Sequence, residues 1–537
     1  MNTFRLFILV CILAAESKAT SQPSVVWSDM YTNPAVSTAE VIGIRVVSTN
    51  FVYAWGEANT TNGDRDIQIV AYQQDGTFLW SALLDGGAQA DDHPVDLLPS
   101  PAGGLCVAGT LTASGSITSY GVIRLSANAS ELWRCVVPNL TNLSETVTSA
   151  CIDDEGRVYL TGSALGTNGY TGMRTVCVNT NGVVLWSDEY WTHHPQGDRD
   201  AAGTAITTDQ QGHIYVGGVT YIPNAPGPYH ILAKYPTEGP RSWLVTRVYS
   251  GGNRAAFVRA EGTNVFLSTN DRMFGYSTNG VELWVSPAYV AAFPWLSSVI
   301  GMMIDTEGRP YVARTADMGK KRYSLVKIGY DGTALLNDYL ESNPYAGNQY
   351  LQDACMDQYD NVYLAGSDGT WRVGPDGRSW WRLAPIGSEA SVAVNDSGDL
   401  FIGRMPFITE CYRPSRDDDL DRDGIPNGWE EDHFYHVTGA AAGEDTDLDS
   451  LSNWQEYIAG TDPTNPLSIQ PPLKWTGTSL LIETSSLERC YFIVSTSNLL
   501  GAAWTDETNQ MGTGAALLFD PQDAGPLKSF KYDIRLP

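Results

Sequence analysis

Two acidic segments near the carboxyl end of the chain repeat one spacing of oxygen-bearing side chains. In the first segment, such side chains occupy positions 1, 3, 5, 9 and 12 of a twelve-residue loop, with glycine at position 6. Calcium takes six to eight hard oxygen ligands from a loop that curls around it, and position 7 supplies its backbone carbonyl. The predicted calcium ligands of this first loop are Asp419, Asp421, Asp423, the carbonyl of Ile425, Asn427 and Glu430.

A second copy of the pattern follows 26 residues later. Its predicted ligands are Asp445, Asp447, Asp449, the carbonyl of Leu451, Asn453 and Glu456. Ser450 stands where the first loop has Gly424, so we expect weaker binding in the second loop. An unpatterned acidic linker is the ordinary meaning of a charge run, but it would not repeat five oxygen ligands at identical spacing.

Each acidic loop is followed by a short helical pattern. We predict helices from Trp429 to Phe434 and from Trp454 to Ala459, the second ended by Gly460 and Pro463. No amphipathic helix precedes either loop, so the predicted unit is a loop followed by one helix.

A tryptophan phrase recurs through the preceding part of the chain. Trp27, Trp80, Trp133 and Trp186 are each 53 residues apart, and an alternating apolar strand phrase runs in step with them. Short strands and Gly/Asp/Asn turns at this period are typical of an all-β propeller. Eight copies of the strand phrase predict eight blades, with residues 24 to 31 as the outer strand of the last blade. Seven blades is the alternative, because the unit around 254 to 284 is short.

Loops between blades usually form the ligand-binding face of a propeller. The candidate binding residues there are Trp191, His193, His194, Asp198 and Trp295. The paired histidines could ligate a metal or grip a sugar, but solvated loops carry the same residues, and spacing assigns no third metal ligand.

The amino terminus and the overall charge indicate where the protein acts and which partners it can have. A basic start, a short apolar run and small residues before Thr20 predict a secretory signal peptide over 1–19, and no later segment is long enough for a transmembrane helix. The net charge of −28 argues against nucleic acid as a partner and is compatible with divalent cations. Thinly spread cysteines in apolar strand phrases favour buried thiols over a disulfide framework.

These motifs resemble known families. The stretch from Asp445 to Pro466 is similar to thrombospondin type 3 and dockerin-like calcium repeats, in which the aspartates, the ninth-position Asn and the closing Glu hold calcium. Residues 24 to 413 resemble the propeller repeats of secreted bacterial proteins, including quinoprotein-like propellers. The expected organisation is a signal peptide (1–19), a propeller (24–413), calcium repeats (414–467) and a small β-sandwich (471–537).

The resulting functional hypothesis is a secreted, non-catalytic scaffold that binds calcium and a glycan or surface protein, in the periplasm or outside the cell. The alternative is a secreted propeller enzyme, either a glycoside hydrolase or lyase, or a quinoprotein-like dehydrogenase. Catalytic carboxylates are recognised by their separation in space, which a sequence does not contain.

Overall fold

The computed structural model describes most of the chain after the amino terminus, in two compact units, Gln22–Arg413 and Pro414–Pro537. The described residues are 23–47, 51–114, 117–139, 141–192, 200–209, 211–221, 229–247, 255–287, 298–317, 319–340, 347–385, 389–416, 418–436, 438–439, 441–468, 474–475, 480–482, 490–496, 505–513, 515–519 and 529–535. The predicted signal peptide, His193, His194, Asp198 and Trp295 lie outside them.

Within these ranges, the first unit contains eight four-stranded antiparallel sheets, each a propeller blade. Strand β1 (Ser24–Met30) opens the unit. Blades 1 to 4 consist of β2 (Val36–Val47), β3 (Phe51–Thr60), β4 (Arg65–Gln73) and β5 (Phe78–Leu84); β6 (His93–Pro99), β7 (Leu105–Ser114), β8 (Ile117–Leu125) and β9 (Glu131–Val136); β10 (Glu145–Ile152), β11 (Val158–Leu165), β12 (Thr171–Val178) and β13 (Val184–Tyr190); and β14 (Ala201–Thr208), β15 (Ile214–Thr220), β16 (Tyr229–Tyr235) and β17 (Trp243–Arg247).

The remaining blades follow the same order. Blades 5 to 8 consist of β18 (Ala255–Glu261), β19 (Asn264–Thr269), β20 (Met273–Ser277) and β21 (Glu282–Val285); β22 (Ser298–Ile304), β23 (Pro310–Asp317), β24 (Lys321–Ile328) and β25 (Ala334–Leu340); β26 (Leu351–Met356), β27 (Val362–Gly366), β28 (Thr370–Val373) and β29 (Ser379–Leu383); and β30 (Glu389–Val394), β31 (Leu400–Arg404), β32 (Ile408–Arg413) and β1. The first strands of neighbouring blades contact one another around the ring, so they line its centre.

The ring closes through its two ends. Strand β1 pairs antiparallel with β32, with Ser24 opposite Arg413 and Met30 opposite Ile408. This pairing completes blade 8 from the beginning of the unit. The prediction of eight blades is confirmed, as is the assignment of residues 24 to 31 to the last blade, and the seven-blade alternative is wrong. The short unit around 254 to 284 is a complete blade of shorter strands.

The repeated tryptophans join neighbouring blades. Each indole Nε1 donates to a backbone carbonyl in a turn of the following blade. The pairs are Trp27 with Gln74 (2.8 Å), Trp80 with Ala127 (3.0 Å), Trp133 with Thr180 (2.8 Å) and Trp186 with Thr237 (3.0 Å). Three of these turns contain a glycine against the indole, namely Gly76, Gly182 and Gly239, and all three have a positive φ. The sequence period is therefore the period of an interblade contact.

The second unit begins with two short helices. Helix α1 covers Asn427–Phe434, and α2 covers Asn453–Ala459, in agreement with the two predicted helices. Ser452 and Gln455 form a capping box at the start of α2, and Gly460 ends it with φ of 71°.

Two three-stranded sheets follow the helices. They consist of β33 (Lys474–Trp475), β34 (Leu480–Ile482) and β37 (Leu517–Phe519), and of β36 (Thr505–Met511), β35 (Cys490–Thr496) and β38 (Ser529–Arg535). Buried Ile482, Tyr491 and Phe519 join both sheets in one core, which includes Ala459 of α2. This arrangement agrees with the predicted small β-sandwich.

The described residues contain no helix long and apolar enough to cross a membrane. Six cysteines of the propeller are free thiols, and burial raises the pKa of Cys106 to about 11.

The interblade contact of Trp133 can be tested at Gly182, where a Cβ would lie 2.8 Å from the indole and φ is 78°. Gly182→Ala should lower the free energy of unfolding by about 1–2 kcal/mol for the backbone strain and by about 1–3 kcal/mol more for the steric conflict. Gly169→Ala is the matched control, because φ there is 81° and a Cβ would meet nothing within 4 Å. Equal losses for the two variants in urea unfolding would contradict a role for the indole contact.

Candidate metal centre

Both acidic loops of the second unit bring three aspartates together. Carboxylate oxygens of Asp419, Asp421 and Asp423 lie within 4.8 Å of one another. The aspartates of the second loop, Asp445, Asp447 and Asp449, form an equivalent group within the same distance. The structure therefore brings together six of the twelve predicted ligands, as two separate groups of three.

Backbone amides hold the two groups in the same geometry. In the first loop, the amide of Gly424 donates to Asp419 Oδ2 (3.0 Å) and that of Ile425 donates to Asp423 Oδ1 (2.9 Å). In the second loop, the matching bonds run from Ser450 to Asp445 Oδ2 (2.9 Å) and from Leu451 to Asp449 Oδ1 (2.8 Å). Each loop thus curls around its own aspartates, as a cation-binding loop must.

The curl requires left-handed backbone at two positions of each loop. Arg422 and Leu448 occupy the fourth position with φ of 62° and 67°, and Gly424 and Ser450 occupy the sixth with φ of 94° and 82°. Serine lacks the conformational freedom of glycine in this region. The second loop is therefore folded like the first despite the substitution, at a cost in backbone strain.

The closing glutamates lie in the first turns of the helices. Glu430 in α1 and Glu456 in α2 are both fully buried. In the second loop, Glu456 Oε1 and Oε2, Asp447 Oδ2 and Asp449 Oδ2 are buried oxygens that accept no hydrogen bond from the described residues. Such oxygens lack the donors that a buried carboxylate needs, and a cation would supply the missing interaction.

The ninth-position asparagines serve the framework of the loops. Asn427 accepts a hydrogen bond from the amide of Leu420 (2.9 Å) and donates one to the carbonyl of Ser415 (3.1 Å). Asn453 accepts from Thr446 Oγ1 (2.9 Å) and donates to the carbonyl of Ala441 (3.0 Å). These amides fasten the beginning of each loop to its helix, and their predicted role as calcium ligands stays a prediction. The carbonyls of Ile425 and Leu451 as ligands stay a prediction.

Burial and mutual repulsion weaken the acidity of these groups. Burial, with the charges of Asp421 and Asp423, raises the pKa of Asp419 to about 7. Burial also raises the pKa of Asp421 and Asp423. In the second loop, burial and the nearby charge of Asp447 raise the pKa of Glu456 to about 7. Protons therefore compete with a cation at both loops below neutral pH.

The propeller candidates are only partly described. The indole of Trp191 packs against the backbone of Gly166 and Gly172, where a Cβ of either glycine would come within 2.7 Å of it. Trp191 thus has a packing role in blade 3. His193, His194, Asp198 and Trp295 lie outside the described residues, so their predicted role in binding stays a prediction.

Charged side chains from different blades also meet among the innermost strands. Arg45 pairs with Asp96 at 2.7 Å. Asp353 accepts hydrogen bonds from Ser391 Oγ (2.5 Å) and from the amide of Val392 (3.0 Å). Each of these carboxylates is committed to a donor on a neighbouring blade, so they hold the ring together.

The sequence reasoning missed one acidic group in the propeller. Asp66, Asp85 and Asp92 bring carboxylate oxygens within 4.8 Å of one another. Asp66 lies at the beginning of a strand and the other two lie in the loop between blades 1 and 2, and no periodic spacing marks them in the sequence.

No family model and no curated protein matches the chain. Among solved structures, the chain is similar to BamB from Moraxella catarrhalis, with 13% identity and a TM-score of 0.44 over 73% of this chain and 100% of that one. It is also similar to the periplasmic gluconolactonase PpgL of Pseudomonas aeruginosa (14% identity, TM-score 0.42, 63% of this chain and 97% of that one). A third similar structure is an ulvan lyase of polysaccharide lyase family PL25 (13% identity, TM-score 0.41, 74% and 94%). The propeller assignment rests on the sheet topology of this chain.

The strained serine of the second loop provides a test of the loop geometry. Ser450→Gly should raise the free energy of unfolding of the second unit by about 1 kcal/mol, because the left-handed backbone no longer strains a side chain. Gly424→Ser is the reciprocal variant and should lose at least as much, since a Cβ there would also lie 3.2 Å from Trp454 Nε1. Urea unfolding of the full chain measures both, and a destabilised Ser450→Gly would contradict the geometry.

Proposed function

We propose that this protein is a secreted, non-catalytic propeller scaffold whose second unit binds two calcium ions. Each acidic loop holds one ion through its three aspartates and its closing glutamate. Calcium would stiffen the segment 414–467, because without it the clustered carboxylates repel one another. The propeller would bind a glycan or a surface protein.

One observation carries the calcium assignment. Two loops separated by 26 residues in sequence curl around three aspartates each, through the same backbone hydrogen bonds. The donor set is carboxylate oxygen throughout, which is the chemistry that calcium prefers over softer metals. The buried, unpaired oxygens of Glu456 and Asp449 are an independent reason to expect a cation.

Two carboxylates of the innermost strands are engaged in structural contacts. A glycoside hydrolase needs two carboxylates that face each other across a substrate, one to donate a proton and one to accept or attack. Asp96 is neutralised by Arg45, and Asp353 is held by hydrogen bonds from Ser391 and Val392. Both side chains therefore stabilise the contacts between blades.

The calcium proposal is tested by calorimetric titration of the full chain with calcium at pH 8, where the competing protons have left Asp419 and Glu456. Glu430→Gln and Glu456→Gln should each lower the affinity for one calcium ion by at least about tenfold. Removing a ligand should cost at least as much affinity as removing a group that hydrogen-bonds to a ligand. Asp432→Asn is the control, because its side chain is 63% exposed and pairs with Arg416. Unchanged binding in both glutamine variants would refute the proposal.

The partner proposal is tested separately, on a panel of glycans and with a thermal readout of the propeller. Saturable binding without consumption of the glycan is the expected result for a scaffold. Turnover of any member of the panel would instead establish the enzyme alternative.

A further inference from the structure

Three carboxylates meet where the first blade of the propeller leads into the second. Asp66 is the second residue of β4, Asp85 follows β5 directly, and Asp92 directly precedes β6. One carboxylate oxygen from each lies within 4.8 Å of the other two. The connection between blades and the beginning of the third strand of blade 1 thus form a common acidic site.

The loop between blades is closed tightly over Asp92. This side chain is fully buried, and it accepts hydrogen bonds from the amides of Thr112 (2.9 Å) and Gly86. A Cβ on Gly86 would lie 2.3 Å from Asp92 Oδ1, so only glycine allows the approach. Asp85 is anchored in the same loop, since its Oδ1 accepts from the amide of Gly87 (2.7 Å).

Asp66 supplies an independent sign of a ligand. Asp66 is only 6% exposed, and its Oδ1 is buried with no hydrogen-bond partner among the described residues. A buried carboxylate oxygen that accepts no hydrogen bond lowers the stability of the fold. A bound cation removes that cost.

The neighbouring charges do not neutralise the negative charge of the three carboxylates. Asp64 and Asp91 add negative charge beside Asp66. The positive charge of Arg134 acts on Asp92, and its Nη1 donates to the backbone carbonyl of Asp85 (2.5 Å). Its other nitrogens form a two-point ion pair with Glu131. A single guanidinium that is already paired leaves the three carboxylates with excess negative charge.

Two other junctions that share a hydrogen bond with this one lack acidic residues at the matching positions. At three junctions, the backbone amide of the first residue of the third strand donates to a side-chain oxygen in the loop before the next blade. This shared hydrogen bond allows the junctions to be aligned with one another. The aligned bonds run to Asp91 Oδ1 from Arg65, to Asp200 Oδ1 from Thr171 and to Asn348 Oδ1 from Lys321. At the last two junctions, Gly172 and Arg322 occupy the position of Asp66, and Ala201 and Gln349 occupy that of Asp92. The fold itself therefore does not require acids there.

We propose that Asp66, Asp85 and Asp92 form a third calcium site, which clamps blade 1 to blade 2. A group of three carboxylates suits calcium better than magnesium, because magnesium keeps most of its water and uses one or two protein carboxylates. The proton is the other possible occupant. Burial and the charge of Asp64 raise the pKa of Asp66 to about 7, so the site is to be assayed at pH 8.

The test is the number of calcium ions bound per full chain, measured by equilibrium dialysis at pH 8. The chain should bind three ions. Asp66→Asn should bind two, because the amide keeps the shape of the side chain but lacks its charge. The combined Glu430→Gln Glu456→Gln variant should retain at least one ion, so a failure of the two loops and a failure of this site give different counts.

Asp91→Asn is the matched control. It removes a charge beside the site but not a member of the group of three, and it should retain the third ion. Hydrogen exchange gives a second readout in the unmutated chain, in which calcium should slow exchange at the amides of Gly86, Gly87 and Thr112. The proposal would be overturned if the Asp66→Asn variant bound as many ions as the unmutated chain. It would also be overturned if calcium left the rate of hydrogen exchange at these amides unchanged.

Discussion

Carboxylates held close together in half-buried and buried positions are a constraint on both units of this protein. Two such charges at 4.8 Å repel each other by about 3 kcal/mol at an effective dielectric constant of about 20. A folded domain is stable by only about 5–15 kcal/mol in total. Each group of three aspartates is therefore costly unless amide donors, protons or a cation offset the repulsion, and the proposed calcium ions would provide that offset above neutral pH.

The propeller provides a frame in which such a group can be fixed. At four consecutive junctions an outer-strand indole bonds to a turn of the next blade, and the pairing of β1 with β32 joins the ends of the ring. With the frame defined by strands and turns, the loops between blades are free to differ. The acidic site at Asp66 and Asp92 occupies one such loop, while Arg322 and Gln349 occupy the aligned place in another.

Much of this architecture was predictable because it depends on local and periodic patterns. The interval between Trp80 and Trp133 equals one blade because each indole makes the same contact with the next blade. The number of strand phrases in the sequence equals the number of blades. The two acidic loops were equally visible, since their aspartates are neighbours in the chain and their turns follow from local backbone preferences. The helices after the loops, which begin at Asn427 and Asn453, were predicted to within two residues of their observed starts.

The sequence by itself determined the propeller, the number of its blades and the two acidic loops, because each of these follows from residues that are close together or regularly spaced. Only the tertiary structure decided how Asn427 uses its amide, and that Asp66, Asp85 and Asp92 share one site. The reason is physical. A hydrogen bond or a cation site made between strand ends and a loop depends on distances across the fold, and spacing along the chain carries no record of those distances.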